Sequence, residues 1–171
     1  QYLGLVSKAS SVGGITTRQE LAMFFAEIMH ESGGLIYKKE INPPSGAYGT
    51  GAPGKQYYGR GYIQLSWPDN YKKASEAIFG AGNTSLYDDP DQVATNEDLA
   101  WGVSFYYWKA AVKPTIASNP QAFGLATKAI NGALECNGGN TPIAQKRFKI
   151  YTAVLKVWEP SMTPVETGCY N

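Results

Sequence analysis

The stretch that decides the fold is TRQELAMFFAEIMHESGG, residues 17–34. It carries apolar side chains with the i, i+3, i+4, i+7 spacing of one helix face, namely Leu21, Phe24, Phe25 and Ile28. Thr17 and Glu20 have the spacing of a capping box at the start of a helix. The pair of glycines at the end of the stretch is typical of a helix terminus. The sequence therefore predicts a helix over residues 18–31 with one buried stripe.

Helical patterns dominate the rest of the chain as well. Further helices are predicted at about 2–9, 67–79, 96–112, 120–130 and 142–158, with the 96–112 helix ending before Pro114. A loop rich in Gly and Pro is predicted at 42–54, and a short strand near 62–65. The length of 171 residues suits one domain with one hydrophobic core. We therefore expect a mainly α protein with minor β, forming a single catalytic domain over residues 1–171.

The composition limits the classes of ligand that the chain is expected to bind. The net charge is +1 and no basic stretch exceeds two residues, which argues against a nucleic-acid ligand. No apolar run approaches the roughly 18 residues of a membrane span. Low charge at 17%, together with many aromatic side chains, suits a neutral ligand such as a carbohydrate. Gln1 is not a natural start, so we expect a mature or trimmed form, acting as a monomer.

A His-Glu pair, His30-Glu31, lies at the end of the predicted helix and resembles the zinc-binding motif of some peptidases. Such a motif needs a second histidine four residues after the first, because only that spacing puts both rings on one face. Position 34 is Gly34, and the chain has a single histidine. The sequence therefore predicts no metal and no cofactor.

Two glutamates, Glu31 and Glu40, lie nine residues apart across the glycine pair. The unpaired carbonyls at a helix C-terminus make the local potential negative, which favours the protonated form of Glu31. Lys38 and Lys39 adjoin Glu40 and would favour its ionised form. A protonated and an ionised carboxyl facing each other are typical of acid–base glycoside hydrolysis. Spacing alone leaves open that both are ordinary surface residues.

The next cluster is YYGRGYIQLSW, residues 57–67. Glycines on both sides of Arg60 allow close approach of the backbone, and Gln64 and Ser66 would face one side if the segment is extended. The ring faces of Tyr57, Tyr58 and Trp67 could stack on a sugar. The alternative is a tight turn before a core strand.

A third cluster lies near the C-terminus. Asn131 and Glu135 are four residues apart, and Glu135 could form an ion pair with Arg147, although such a pair is more often structural than functional. The two cysteines, Cys136 and Cys169, could form a disulfide or remain two buried thiols; their spacing does not decide.

Taken together, the clusters resemble the family 19 glycoside hydrolases, the plant-type chitinases. The matching stretches are FFAEIMHESGGLIYKKEIN (24–42), PGKQYYGRGYIQLSW (53–67), DPDQVAT (89–95) and AINGALECNGGN (129–140). The resemblance implies a lysozyme-like, two-lobed helical domain with a substrate cleft. It also implies a secreted, endo-acting chitinase that hydrolyses β-1,4-linked N-acetylglucosamine chains with inversion.

The resemblance implies roles for individual residues. Glu31 matches the general acid, Glu40 the general base, and Ser66 a residue that holds the attacking water. Gln64, Asn70 and Asn131 match substrate-binding positions. Tyr57 and Trp67 are added to the predicted substrate-binding set as stacking rings on the chemistry of their side chains and not on the resemblance. His30, Glu135 and Arg147 match a supporting charged network, and Cys136 and Cys169 match a disulfide.

Two other functions stay open at the level of sequence. The run GRGYIQL, residues 59–65, is also similar to bacterial and phage relatives that cleave peptidoglycan, and the same carboxylate pair would serve such a lysin. An inactive chitin-binding relative is the third alternative. It is disfavoured because both Glu31 and Glu40 are present, and a binding module needs neither.

Overall fold

The structure is a computed structural model, and it describes residues 2–136, 138 and 140–171. Its helices are α1 (Tyr2–Ser11), α2 (Arg18–Glu31), α3 (Pro68–Phe79), α4 (Ser85–Asp88), α5 (Gln92–Thr95), α6 (Glu97–Tyr107), a π-helical segment (Trp108–Val112), α7 (Lys113–Ile116), α8 (Phe123–Glu135) and α9 (Thr141–Trp158). Within the described residues, β structure is confined to isolated bridges. The predicted mainly α class is confirmed.

The chain divides into two compact units. One comprises the described residues of Gln1–His30 together with Trp108–Asn171, and we call it the terminal unit. The other, Glu31–Tyr107, is the middle unit. Across the described residues, no helix combines the length and the apolar character that crossing a bilayer requires.

Helix α2 forms the core of the terminal unit, and its bounds agree with the prediction. Burial extends beyond one stripe: Ala22, Met23 and Ala26 are buried completely, whereas Leu21 and Phe25 are only half-buried. The helix therefore packs on more than one side, and small side chains let its neighbours approach closely.

The start of α2 uses only half of the predicted capping box. The Glu20 N–H donates to Thr17 Oγ1 at 3.1 Å. The Glu20 carboxylate, however, accepts hydrogen bonds from Trp108 Nε1 at 2.9 Å and Lys113 Nζ at 3.0 Å. The side chain that the sequence assigned to the cap thus joins α2 to the π-helical segment and α7.

The predicted helix end before Pro114 is wrong, because the helical path continues to Ile116. The π-helical segment Trp108–Val112 changes the hydrogen-bonding pattern just ahead of the proline. Pro114 is the second residue of α7, directly after this segment.

The predicted strand near 62–65 is wrong too. Residues 61–64 form a turn, across which Arg60 and Leu65 exchange hydrogen bonds of 3.1 and 2.8 Å. Gly61 has a φ of +72°, and a Cβ there would lie 2.8 Å from Val103 Cγ2. Only glycine combines this backbone angle with such close approach to α6, so the chain reverses instead of extending.

Candidate active site

Glu31 is the last residue of α2 and is half-buried. The turn that follows is fixed by Ser32, whose Oγ accepts the Leu35 N–H at 2.8 Å and whose carbonyl accepts the Tyr37 N–H at 2.8 Å. Leu35 has a φ of 66°, in the left-handed region, and both preceding glycines share that region. The turn is therefore tightly specified directly after the carboxylate.

Glu40 lies on an irregular segment that pairs with Gly59. The Glu40 N–H donates to the Gly59 carbonyl at 2.8 Å, and the Gly59 N–H donates to Glu40 Oε2 at 3.2 Å. Tyr48 Oη donates to the same oxygen at 2.7 Å. Within the described part of the chain, Oε1 receives no donor. One oxygen is thus anchored and the other is available to a ligand.

The sequence analysis expected the charge of Lys38 to act on Glu40, but in the structure Lys38 pairs with a different carboxylate. Lys38 Nζ donates to Glu97 Oε2 at 3.0 Å instead. Glu97 also accepts from Tyr62 Oη at 2.8 Å and from Trp101 Nε1 at 2.9 Å. Burial acts to raise the pKa of Glu97, but these three donors outweigh it and lower the pKa. Lys38 therefore holds the segment that leads to Glu40 rather than the carboxylate itself.

Arg60 is a structural residue, buried to 2% exposure. Its guanidinium pairs with Asp91 Oδ1 at 2.8 Å, donates to the Gln56 carbonyl at 2.8 Å and lies 3.6 Å from the Tyr58 ring centroid. The glycine on its N-terminal side brings the backbone against Gln64, because a Cβ at Gly59 would lie 2.7 Å from Gln64 Oε1. The close approach predicted from the glycines serves packing around the turn.

The polar residues Gln64, Ser66 and Asn70 form a short chain of hydrogen bonds. Gln64 has a φ of 57° in the turn, so the expectation that it shares one face of an extended segment with Ser66 is wrong. Ser66 Oγ donates to the Gln64 carbonyl at 3.0 Å, and Asn70 Nδ2 donates to the Ser66 carbonyl at 2.8 Å. All three side chains are half-buried and belong to the same unit as Glu40.

The aromatic residues divide into exposed and buried rings. Trp67 is 51% exposed, and its ring meets the Tyr48 ring edge-on with 5.6 Å between centroids. Tyr57 is 1% exposed, its ring stacks on Tyr87 at 5.2 Å, and its hydroxyl donates to the Tyr87 carbonyl at 2.8 Å. A sugar-stacking role for Tyr57 is therefore corrected to a core role, because its ring faces are covered. Tyr58 lies beneath Arg60 and is half-buried.

A pocket of about 320 Å³ lies beside Tyr48, Tyr57 and Tyr58. It is lined by residues of the 42–54 loop and of the segment after it: Pro44, Ser45, Gly46, Ala47, Tyr48, Gly49, Gly54, Lys55, Gln56, Tyr57 and Tyr58. The predicted loop at 42–54 is present. Tyr48 thus borders the pocket and bonds Glu40.

The terminal unit contains a separate buried cluster of charges. Arg147 Nε and Nη2 bind the two oxygens of Glu135 at 2.8 and 2.7 Å, and Nη1 binds Glu27 Oε2 at 2.8 Å. Asn131 Nδ2 donates to Glu135 Oε1 at 2.6 Å, from a point where α8 is kinked. Thr127 Oγ1 donates to Glu27 Oε1 at 2.8 Å. The Glu135–Arg147 pair expected from the sequence is confirmed.

Glu27 belongs to this buried cluster of charges, and the sequence analysis missed it. It is buried completely on α2, where apolar periodicity alone predicts a surface position for a glutamate. The available signal was a lone carboxylate within the apolar run AMFFAEIM. Such a group is buried only when it is paired, and its partner comes from α9, 120 residues away.

His30 lies near these charges at the end of the terminal unit. Burial first, and the positive charge of Arg147 second, lower the pKa of His30 to about 4. Its Nδ1 is buried, and no described residue hydrogen-bonds to it. Burial acts to raise the pKa of Glu135, but the donors on Arg147 and Asn131 outweigh it and lower the pKa. A neutral histidine therefore accompanies an ionised Glu135.

The predicted disulfide is present. Cys136 at the end of α8 is bonded to Cys169, with 4.6 Å between their Cα atoms. The tail also pairs with the start of α8, where the Phe123 N–H donates to the Val165 carbonyl at 2.9 Å. A Cβ at Gly124 would collide with the backbone of Glu166. The tail is thus fixed by a covalent bond, a hydrogen bond and close packing.

Comparison with known proteins agrees with this helical fold. A family model described as Chitinase class I matches residues 6–120. The chain belongs to that family, the family 19 glycoside hydrolases.

Individual relatives give the extent of the match. Endochitinase EP3 of Arabidopsis thaliana is 41% identical over 143 residues, which is 80% of this chain and 50% of that protein. Endochitinase B of Zea mays is 40% identical over 156 residues, 88% of this chain and 52% of that protein. The chain thus spans about half the length of the curated relatives it matches.

Two solved structures show the same architecture. Chitinase C from Streptomyces griseus HUT6037 has a TM-score of 0.76 and 31% identity, covering 98% of this chain and 86% of that one. A class IV chitinase of family 19 from Zea mays has a TM-score of 0.76 and 32% identity, covering 99% and 82%. This similarity agrees with the predicted lysozyme-like helical fold.

Proposed function

We propose that this chain is an endo-acting chitinase that hydrolyses β-1,4 bonds between N-acetylglucosamine units with inversion. The observation that carries the proposal is the arrangement at Glu40. Its Oε2 is fixed by two donors while its Oε1 receives none from the described protein. A general base needs this asymmetry, because one oxygen must hold still while the other takes a proton from water. Membership of the family supports the substrate class.

In the proposed mechanism the two carboxyls act in one step. Glu31, protonated, gives its proton to the glycosidic oxygen as the bond to the sugar C1 breaks. Glu40, ionised, takes a proton from a water molecule whose oxygen bonds to C1 from the opposite face. The product has a new hemiacetal hydroxyl with inverted configuration, and Glu31 and Glu40 have exchanged protonation states. We assign Ser66 to orient this water.

Substrate binding is assigned to amides and one ring. Gln64 and Asn70 each use their NH₂ group on a protein carbonyl, so their amide oxygens remain as acceptors for sugar hydroxyls or acetamido N–H groups. Trp67 offers an exposed ring to the apolar face of a sugar. Asn131 is a further proposed amide. The disulfide supports secretion, because disulfides persist in oxidising compartments.

The experiment that tests the function offers two polymers to the same protein. Incubation with N-acetylglucosamine oligomers of four or more units should release products of internal cleavage, with the rate rising with length. Purified peptidoglycan should be cut much more slowly. Clearing of bacterial cell walls without release of chitin oligomers would replace the chitinase assignment with the peptidoglycan lysin. Binding of oligomers without any cleavage would instead indicate the inactive relative.

A further inference from the structure

A short hydrogen bond joins Tyr48 to the carboxylate of Glu40. Tyr48 lies in the 42–54 loop, eight residues after Glu40. Its hydroxyl reaches Glu40 Oε2 at 2.7 Å, shorter than the 3.2 Å of the Gly59 N–H to the same oxygen. Short bonds between a hydroxyl and a carboxylate are about twice as strong as neutral ones. The phenol is therefore the stronger of the two anchors of this carboxylate.

We propose that Tyr48 is a positioning residue for Glu40, and that its hydroxyl fixes Oε2 so that Oε1 is aimed at the reacting water. This role rests on the proposed function of Glu40 as the base. Tyr48 itself need not touch the reacting atoms. It acts through Glu40 by limiting the rotation of the carboxylate.

The Tyr48 hydroxyl remains a donor at and around neutral pH. Burial first, and the hydrogen bond to the Glu40 carboxylate second, raise the pKa of Tyr48 to about 12. Lys38 pairs with Glu97 and Arg60 pairs with Asp91, and neither side chain donates to Glu40. The donors that anchor this carboxylate are thus a phenol and a backbone amide, neither of which loses its proton near neutral pH.

The ring of Tyr48 also connects Glu40 to the exposed Trp67. The two rings meet edge-on at 5.6 Å, and a Cβ at Gly49 would lie 3.9 Å from the Trp67 ring. The loop that carries Tyr48 therefore rests on Trp67. A sugar that stacks on the other side of Trp67 would hold this ring still, and through Tyr48 it would hold the carboxylate as well.

The first test is Tyr48→Phe in the full chain, which keeps the ring and removes only the hydroxyl. We expect kcat on N-acetylglucosamine oligomers to fall by about tenfold or more, with KM within about twofold. Tyr106→Phe on α6 makes the same change in the same unit and should leave both parameters unaltered. A change in KM alone would make Tyr48 a substrate contact and overturn the proposal.

A second test does not depend on activity. With ¹³C-labelled tyrosine, the Tyr48 ring should titrate near pH 12 in the wild type and at lower pH in Glu40→Gln, since the charge of Glu40 is removed. Equal titration in both proteins would overturn the Tyr48–Glu40 connection. If the wild type does not cleave oligomers, the proposed function fails, whereas this titration still decides whether the phenol is coupled to the carboxylate.

Discussion

Arg147 binds Glu135 through two parallel hydrogen bonds, Nε to Oε2 at 2.8 Å and Nη2 to Oε1 at 2.7 Å. Its remaining terminal nitrogen, Nη1, binds Glu27 at 2.8 Å. All three side chains are nearly inaccessible to solvent. One guanidinium thus joins α2, α8 and α9 and neutralises part of a buried negative charge, a geometry that the planar fork of arginine provides and an ammonium does not.

Arg147→Ala should lower the free energy of unfolding by about 3–5 kcal/mol, because it leaves two buried carboxylates without their partner. Arg147→Lys keeps the charge but loses the fork, so an intermediate loss is expected. The measurement is urea unfolding at neutral pH. Arg18→Ala is the matched control, since Arg18 is 77% exposed and lies 3.6 Å from Glu159, and it should change stability by less than about 1 kcal/mol. Equal effects at both arginines would contradict this account.

The disulfide should carry a large share of the stability of the terminal unit. Cys136 and Cys169 are separated by 33 positions, and closing such a loop stabilises by about 3–4 kcal/mol in the chain-entropy model. Replacing both cysteines with serine should lower the free energy of unfolding by this amount. Thiol titration of denatured, unreduced protein should find no free thiol. Two reactive thiols would refute the pairing.

The sequence predicted α2 to the residue because every signal for it is local. Apolar spacing, Thr17 before the first turn and the glycine pair after Glu31 all lie within 18 positions of one another. The turn at 61–64 failed as a prediction because its cause is distant. Gly61 must approach Val103 on α6, and no pattern near residue 61 contains that contact.

Some residues of the candidate site could be predicted from the sequence and others could not. Glu31 and Glu40 were identified because a family resemblance covers their segment. Glu27 was missed because its burial depends on Arg147, 120 residues later in the chain. Tyr48 was missed because a tyrosine in a glycine-rich loop gives no sign of the carboxylate that it bonds. Both hydrogen bonds depend on how the chain packs, which periodicity does not encode.

Glu31→Gln should keep the fold and remove nearly all turnover, because an amide cannot donate the proton at the leaving oxygen. General acid–base groups contribute roughly 10²–10⁴-fold each. Glu40→Gln should also be severe, although an amide can still orient water. Initial rates on N-acetylglucosamine oligomers are the measurement, with the exposed Glu76→Gln on α3 as the control. Activity of Glu31→Gln within about twofold of wild type would remove Glu31 from the mechanism.

Inversion predicts which anomer forms first. Water that attacks a β-linked sugar from the opposite face yields the α anomer, which later equilibrates. Proton NMR of fresh product, recorded before mutarotation, should therefore show the α signal rising ahead of the β signal. The β anomer appearing first would indicate retention, with either a carboxylate or the substrate's own acetamido group as the nucleophile, and would contradict the inverting assignment.

The last prediction concerns His30 and the dependence of stability on pH. The pKa of His30 is lowered to about 4 in the folded protein, mainly by burial, against about 6.5 in an unfolded chain. Between these values the unfolded state binds more protons than the folded state, so the free energy of unfolding must fall as the pH falls. The contribution is complete above pH 6.5, declines between pH 6.5 and about 4, and gives no further slope below that.

Urea unfolding of the wild type and of His30→Gln at pH 7, 6 and 5 isolates this contribution. His30 is the one histidine of the chain. Carboxyls that titrate in the same window, such as Glu166, whose pKa is raised by burial, are present in both proteins, so their effect cancels in the comparison. Glu135 has a lowered pKa in the folded protein, so the stability that it contributes is lost only at a pH more acidic than the measured range. The wild type should lose stability steadily from pH 7 to 5, while His30→Gln should show a much flatter profile. Parallel profiles for the two proteins would mean that His30 is protonated in the folded state at these pH values, contrary to its burial beside Arg147.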